Sequence, residues 1–404
     1  MKKNNRKLCA ILISALTIVS TITGCASSTK QASSTGTASD ASATSKVSAS
    51  NKKLKLGFNN FLKGNYSLDI LEKNFRSAAS ALNCDAMVTN DQGKVETTVQ
   101  DVDSMISAKV DGIVFFGISD TLFPIVSRKC EAAKIPFVCY DHIPSDKTLE
   151  VLRKNPYFAG VVGEHDYDAG FPIGKYAAEQ GTKKAILITG KNTDTTHSSR
   201  VKGFTDAFTK NGGKVLDVGW GCNTLSDALS KTDNLLTAHP DVDCIYATGG
   251  DFGSGALQAL AKHPSVKAKM FVTDLDPDIL IGLSKHIISA ANGAHWVNAS
   301  FATALLVNRL VGNNLRDGNA APTLTVPVLT LPNSQESLYD KFWLHNDPFS
   351  AKEIQQLVKT YNSGASLKTF RDTLRGYSIE SRLKEKEKEG LVTKDELTKA
   401  GIKG

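Results

Sequence analysis

The chain has 404 residues, enough for two domains with separate cores, and its 41% hydrophobic and 22% charged residues exclude a disordered or collagen-like protein. Of the formal net charge of +7, four charges belong to Lys2, Lys3, Arg6 and Lys7, so the rest carries only +3. That remainder lacks the concentrated basic face of a nucleic-acid binder. A polytopic membrane protein is excluded as well, because the long apolar run is confined to the N-terminus.

That run, residues 8–19, follows the basic start and is interrupted only by Ser14 and Thr17. It is too short to span a bilayer and has the length of a secretory signal core. Ile22-Thr23-Gly24-Cys25 then resembles the lipobox of bacterial lipoproteins. The resemblance implies removal of residues 1–24 and a lipid on the Cys25 sulfur. Residues 26–51 are mostly Ser, Ala and Thr, without an aromatic, and cannot bury enough apolar area to fold. Residues 25–51 therefore read as a lipid-anchored tether with a reach of about 28 Å. Five cysteines remain: Cys84, Cys130, Cys139, Cys222 and Cys244. No pair has metal-ligand spacing, and small buried hydrophobes are their expected role.

From residue 52 short apolar runs alternate with helical periods. Strands are expected at 54–58, 85–89, 110–116 and 135–140, with helices over 67–82, near 95–106 and over 121–133. The rhythm repeats with strands 158–162, 185–189, 214–218, 243–248, 269–275 and 286–290. Helices 168–180, 199–210, 225–238, 253–263 and 278–285 lie between them. Two such blocks predict an α/β protein of two doubly wound parallel-sheet lobes, covered by helices on both faces. In that architecture ligands bind at the carboxyl ends of the strands. Polar clusters fall there: Asn59-Asn60 with Asn65-Tyr66, Asp141-His142, 164–166, 191–200, 249–251, 274–276 and 292–296. Asp, Asn and Arg are suited to pairs of sugar hydroxyls, and aromatic rings to sugar C–H faces. Asp and Asn at strand ends also serve as helix caps.

Residues 52–330 resemble the periplasmic sugar-binding proteins of the ribose and galactose type, the type 1 sugar-binding family of ABC importers. The matching stretches include 54–58, 110–114, Ala133-Lys134-Ile135-Pro136-Phe137-Val138 with Asp141, Asp168-Ala169-Gly170, Arg200 through Phe204, 255–260 and Asp276. The resemblance implies two lobes joined by three crossings, near residues 163, 293 and 323. Lobe 1 is then 52–163 plus 294–322, lobe 2 is 164–293 plus 323–345, and 346–404 is an extension, loosely held beyond Ser381. Asp141 and Asp276 stand where the family has hydroxyl-binding acids, and Arg200 where it has a sugar-binding arginine. His142 replaces the usual arginine, and Asp166 falls where asparagine is common. Asn65 and Tyr66 occupy the first strand–helix loop, which contributes asparagine and aromatics. Gly249 stands for an expected asparagine and Gly293 for a glutamine, with Asn292, His295 and Trp296 beside it. These departures set ribose aside and imply another sugar or a polyol-like solute. The resemblance further implies a monomer held at the outer face of the bacterial cell membrane, serving an ABC permease, with no cofactor or metal and no nucleic-acid partner. A sensory subunit presenting the same ligand to a membrane kinase is the alternative. No Walker A sequence, G-x-S-x-G elbow or H-E-x-x-H motif points to an enzyme.

Overall fold

The computed structural model describes residues 53–402; the signal segment, Cys25 and the tether lie outside the described residues. The chain first lays down β1 (Lys55–Asn60), α1 (Tyr66–Ala81), β2 (Asp85–Asn90), α2 (Val95–Ser107) and β3 (Gly112–Phe116). It continues with α3 (Leu122–Ala133), β4 (Phe137–His142), α4 (Asp146–Arg153) and β5 (Phe158–Glu164). A second block contains α5 (Asp166–Glu179), β6 (Lys184–Ile188), α6 (Thr195–Lys210), β7 (Lys214–Gly219) and α7 (Leu225–Ala238). It closes with β8 (Cys244–Ala247), α8 (Gly250–Lys262), β9 (Lys269–Thr273), α9 (Pro277–Ser284) and β10 (Ile288–Gly293). Then come α10 (Asn298–Leu310), β11 (Thr323–Thr325) and β12 (Leu329–Pro332). The C-terminal part adds α11 (Glu336–Tyr339), α12 (Ala351–Gln356), α13 (Leu367–Arg375), α14 (Ile379–Lys388) and α15 (Lys394–Lys399).

Two six-stranded sheets result, ordered β11-β5-β4-β3-β1-β2 and β12-β10-β9-β8-β6-β7. Their inner strands β3, β5 and β8 are buried along their whole length, as expected of apolar runs covered on both faces. In the first lobe Phe58 stacks between Phe75 and Tyr140, with ring centroids 4.5 and 4.8 Å away. In the second, Phe204 stacks flat on Tyr246 at 4.4 Å.

Three details differ from the sequence reading. β12 pairs antiparallel with β10, so the second sheet is mixed. β11 pairs with β5 of the first sheet, so the third crossing falls at 326–328 rather than near 323. The stretch beyond Ser381 is folded, because Leu383 and Leu397 are buried and α14 and α15 each begin with a capping box. Its apolar stripe is narrow, and even Lys386 lies buried in it, with its ammonium 2.9 Å from Glu389. The extension also reaches the hinge: the Tyr377 hydroxyl donates to the Ala294 carbonyl at 2.5 Å.

All five described cysteines are buried and unpaired, as small hydrophobes should be. Among the described residues no helix is long and apolar enough to cross a membrane.

Candidate ligand-binding cleft

The first crossing joins β5 to α5 at His165, and the second joins β10 to α10 through 294–297. Between the strand ends lies a cavity of about 300 Å³ whose lining comes from both lobes. That is the lower end of the size range for small-molecule sites. Asp141, Glu164, His295 and Trp296 line the hinge side; Arg200, Asp251, Asp274 and Asp276 line the second lobe. Phe61 and Phe116 from the first lobe and Phe252 from the second supply aromatic walls.

The second-lobe wall is organised around Arg200. Gly170 and Gly203 let α5 and α6 touch; a Cβ on Gly170 would stand 2.0 Å from the Arg200 carbonyl oxygen. That closeness seats the Arg200 guanidinium against Asp166, with Nε donating at 3.1 Å. Nη1 donates to the Thr248 carbonyl at 3.0 Å and lies 3.9 Å from Asp274. Burial works to lower the Arg200 pKa, but Asp166 and Asp274 outweigh it and raise it above the ordinary value. Burial likewise opposes the Asp166 carboxylate, yet Arg200 pulls its pKa below the ordinary value. Asp274 directly follows β9 and lies in the left-handed region, at φ 83°. Such backbone in a non-glycine residue is uncommon and clusters at functional sites. His197 adds its Nδ1 at 3.0 Å from the Thr248 hydroxyl, and burial, then Arg200, depress its pKa.

The hinge wall has a different character. Asp141 is the penultimate residue of β4, at φ 71°. Gly163 lets β5 approach it there, because a Cβ on Gly163 would meet the Asp141 carbonyl oxygen at 2.1 Å. Glu164 thus comes to lie beside Asp141, and the Asn298 amide donates to both, at 2.8 and 3.2 Å. Burial, then the neighbouring Asp141, push the Glu164 pKa well above the carboxylate range. His295 sits 3.5 Å from Glu164, and its pKa is lowered by burial.

Asp276 occupies the N-cap position of α9 but makes no capping bond. Burial and the nearby Asp274, Asp251 and Asp278 raise its pKa to about 7. Asp141 precedes no helix directly and caps none. The helix-cap reading therefore fails for both acids. It succeeds for Asn65, whose side chain accepts from the Leu68 amide at 3.2 Å.

Of the residues expected at the site, Asn65, Asp141, His142, Arg200, Asp276 and Trp296 line the cavity. Asp166 stands behind Arg200 as its counter-ion. Tyr66 presents its ring edge to Trp296, with centroids 6.1 Å apart, outside the lining. Asn292 is fully buried within the second lobe, donating to the Ala169 carbonyl, and does not line the cavity. Trp296 is only 1% exposed and packs against Trp343, so most of its ring is core rather than an open platform. Asn59 and Asn60, which lie inside β1, are wholly buried; Asn59 holds Asp91 and the Phe116 backbone. Glu164, His197, Asp251, Asp274 and His295 sit in the strand-end clusters of the sequence, but nothing local singled them out.

The model of the periplasmic binding protein domain matches residues 57–314, more than half of the chain. The ABC transporter periplasmic-binding protein YphF of Escherichia coli strain K12 is 23% identical over 236 residues, covering 56% of this chain and 72% of YphF. A solute-binding protein from Actinobacillus succinogenes 130z, solved with D-allose, superposes with a TM-score of 0.63 at 19% identity. That match covers 70% of this chain and 99% of the solved one. AraP, an arabinose-binding protein from Geobacillus stearothermophilus, gives a TM-score of 0.63 at 20% identity, covering 71% and 99%. With two lobes, three crossings and a polar cleft at the strand ends, the chain belongs to the periplasmic binding protein domain family and has the type 1 fold of the sugar-binding components of ABC importers.

Proposed function

We propose that the protein captures a monosaccharide-sized sugar or polyol-like solute between its lobes and delivers it, without chemical change, to an ABC-type importer. The observation that carries this reading is the cleft itself: acids of both lobes and Arg200 face one cavity of about 300 Å³ with aromatic walls. A hydroxyl donates to a carboxylate and accepts from a guanidinium, so Asp141, Arg200, Asp274 and Asp276 together suit adjacent hydroxyls. The D-allose of the Actinobacillus protein and the arabinose of AraP support a ligand of this size and class. The family supports an extracytoplasmic location. The lipobox resemblance supports attachment through Cys25, and Cys25→Ala should move the protein from the membrane to the soluble fraction.

A thermal-shift screen over pentoses, hexoses, disaccharides and polyols tests the reading. A ligand at one hundred times its Kd stabilises by about 2.7 kcal/mol, a readily seen rise in melting temperature. No shift with any sugar or polyol, alongside shifts with solutes of another class, would overturn it.

A further inference from the structure

We infer that Asp141, Glu164, His295 and Asn298 form a divalent-cation site at the hinge, selective for an ion of the zinc or manganese type. Asp141, Glu164 and His295 are all buried, and one ligand atom from each lies within 4.8 Å of the other two. Ligands standing about 2.0–2.2 Å from a common ion are roughly 3–4.4 Å apart, so a sub-ångström contraction would complete the cage. The 3.5 Å separation of His295 Nε2 from Glu164 already falls inside that range.

Two independent observations point to an occupant. The first is charge. Arg200 pairs with Asp166 and Asp274 and reaches Glu164 only through space, while the side chain that hydrogen-bonds both Asp141 and Glu164 is the neutral Asn298 amide. Two buried carboxylates side by side are costly without a cation. The second is a buried polar atom without a partner. His295 is 3% exposed and lines the cleft with its Nε2 toward Glu164. Asn298 is fully buried, and its Oδ1 is unpartnered while its Nδ2 faces the two acids. Half a turn of the amide exchanges the two atoms and brings Oδ1 in as a fourth ligand.

The donor set is two carboxylates, one imidazole and one amide oxygen. This mixture of nitrogen and oxygen suits Zn²⁺ or Mn²⁺ better than Ca²⁺, which takes six to eight oxygens. A dipositive ion would neutralise the two carboxylates. It would also bind the end of β4, the first crossing and the second crossing to one point, and so fix the hinge wall of the cleft. The inference does not rest on the ligand being a sugar.

The test is a calorimetric titration of chelator-stripped protein with Zn²⁺ and with Mn²⁺ in sugar-free buffer. One ion per chain is expected, with Glu164→Gln and His295→Gln each weakening binding by at least tenfold. Melting curves in chelator serve as the folding control; Glu164→Gln should melt no lower than the parent, because it removes an uncompensated buried acid. Absence of binding to the parent protein would overturn the site and leave a shared proton between the two acids in its place. Undiminished binding by both folded variants would overturn it too. Sugar binding measured separately in chelator reports on the transport reading alone.

Discussion

The two walls of the cleft handle buried charge in opposite ways. In the second lobe Arg200 is compensated: Asp166 at 3.1 Å, Asp274 at 3.9 Å and the Thr248 carbonyl hold Nε and Nη1 of an ionised, preorganised group. At the hinge, Asp141 and Glu164 share one neutral amide, with no arginine or lysine in ion-pair contact among the described residues, and Glu164 is driven toward its protonated form by burial and by Asp141. The Arg200 centre is complete before any ligand arrives. The hinge wall is finished by what binds to it, whether proton, cation or solute. Preorganised charge gives affinity at low reorganisation cost, and uncompensated charge gives sensitivity to pH and to ions.

Substitutions separate these cases. The largest effect is expected for Arg200→Ala. Truncating a nearly buried ion-pair partner leaves Asp166 and Asp274 uncompensated, at a cost of about 3–5 kcal/mol in stability. Affinity for the solute should fall by roughly a hundredfold or more, since a charged hydrogen-bonding group contributes about 1.5–3 kcal/mol on top of the disordered wall. Denaturant unfolding and calorimetry read the two losses. A variant that binds weakly but unfolds as the parent does would show that the wall is not organised by Arg200.

Next comes the pH dependence set by Asp276, whose pKa is raised to about 7 by burial and neighbouring acids. A carboxyl with a raised folded-state pKa binds more protons folded than unfolded between about pH 4 and 7. Its contribution to stability is therefore intact below the unfolded value and is lost as pH climbs to the folded one. Asp276→Asn should match the parent near pH 4 and melt higher than it above pH 7. Melting temperatures across that range check this, and parallel curves would contradict it.

A smaller effect is expected of Tyr377→Phe. It removes the hydroxyl that props the Ala294 carbonyl, directly before His295, and should cost about 1–2 kcal/mol by chemical unfolding. An unchanged midpoint would mean that the C-terminal extension does not support the hinge wall.

The lobes were legible because parallel strands buried on both faces read as apolar runs, and because β3, β5 and β8 are of that kind. α4 was missed: its eight residues offer only Leu149 and Leu152 to the core, too few for a periodic signal. The extension hid for a related reason, since α14 carries its buried Ile379 and Leu383 in a run of alternating charges. Within the site, strand ends located the clusters, but sequence alone could not tell Asp166, which neutralises Arg200, from Asp274, which also reaches the cavity. That distinction depends on the α5–α6 contact made possible by Gly170 and Gly203. Nor could it separate Asn292, turned into the second lobe, from Glu164, turned into the cleft.

Both lobes read one ligand in the cleft, and the decisive measurement is a calorimetric titration of Asp141→Asn with the best solute from the screen. Asp141 belongs to the first lobe and lines the cavity opposite Arg200. The substitution keeps its shape and removes a charge whose side-chain hydrogen-bond partner is the neutral Asn298 amide. Affinity should weaken by roughly ten- to a hundredfold, with a melting temperature at or above that of the parent. Unchanged affinity in a folded Asp141→Asn variant would contradict it and confine recognition to the second lobe.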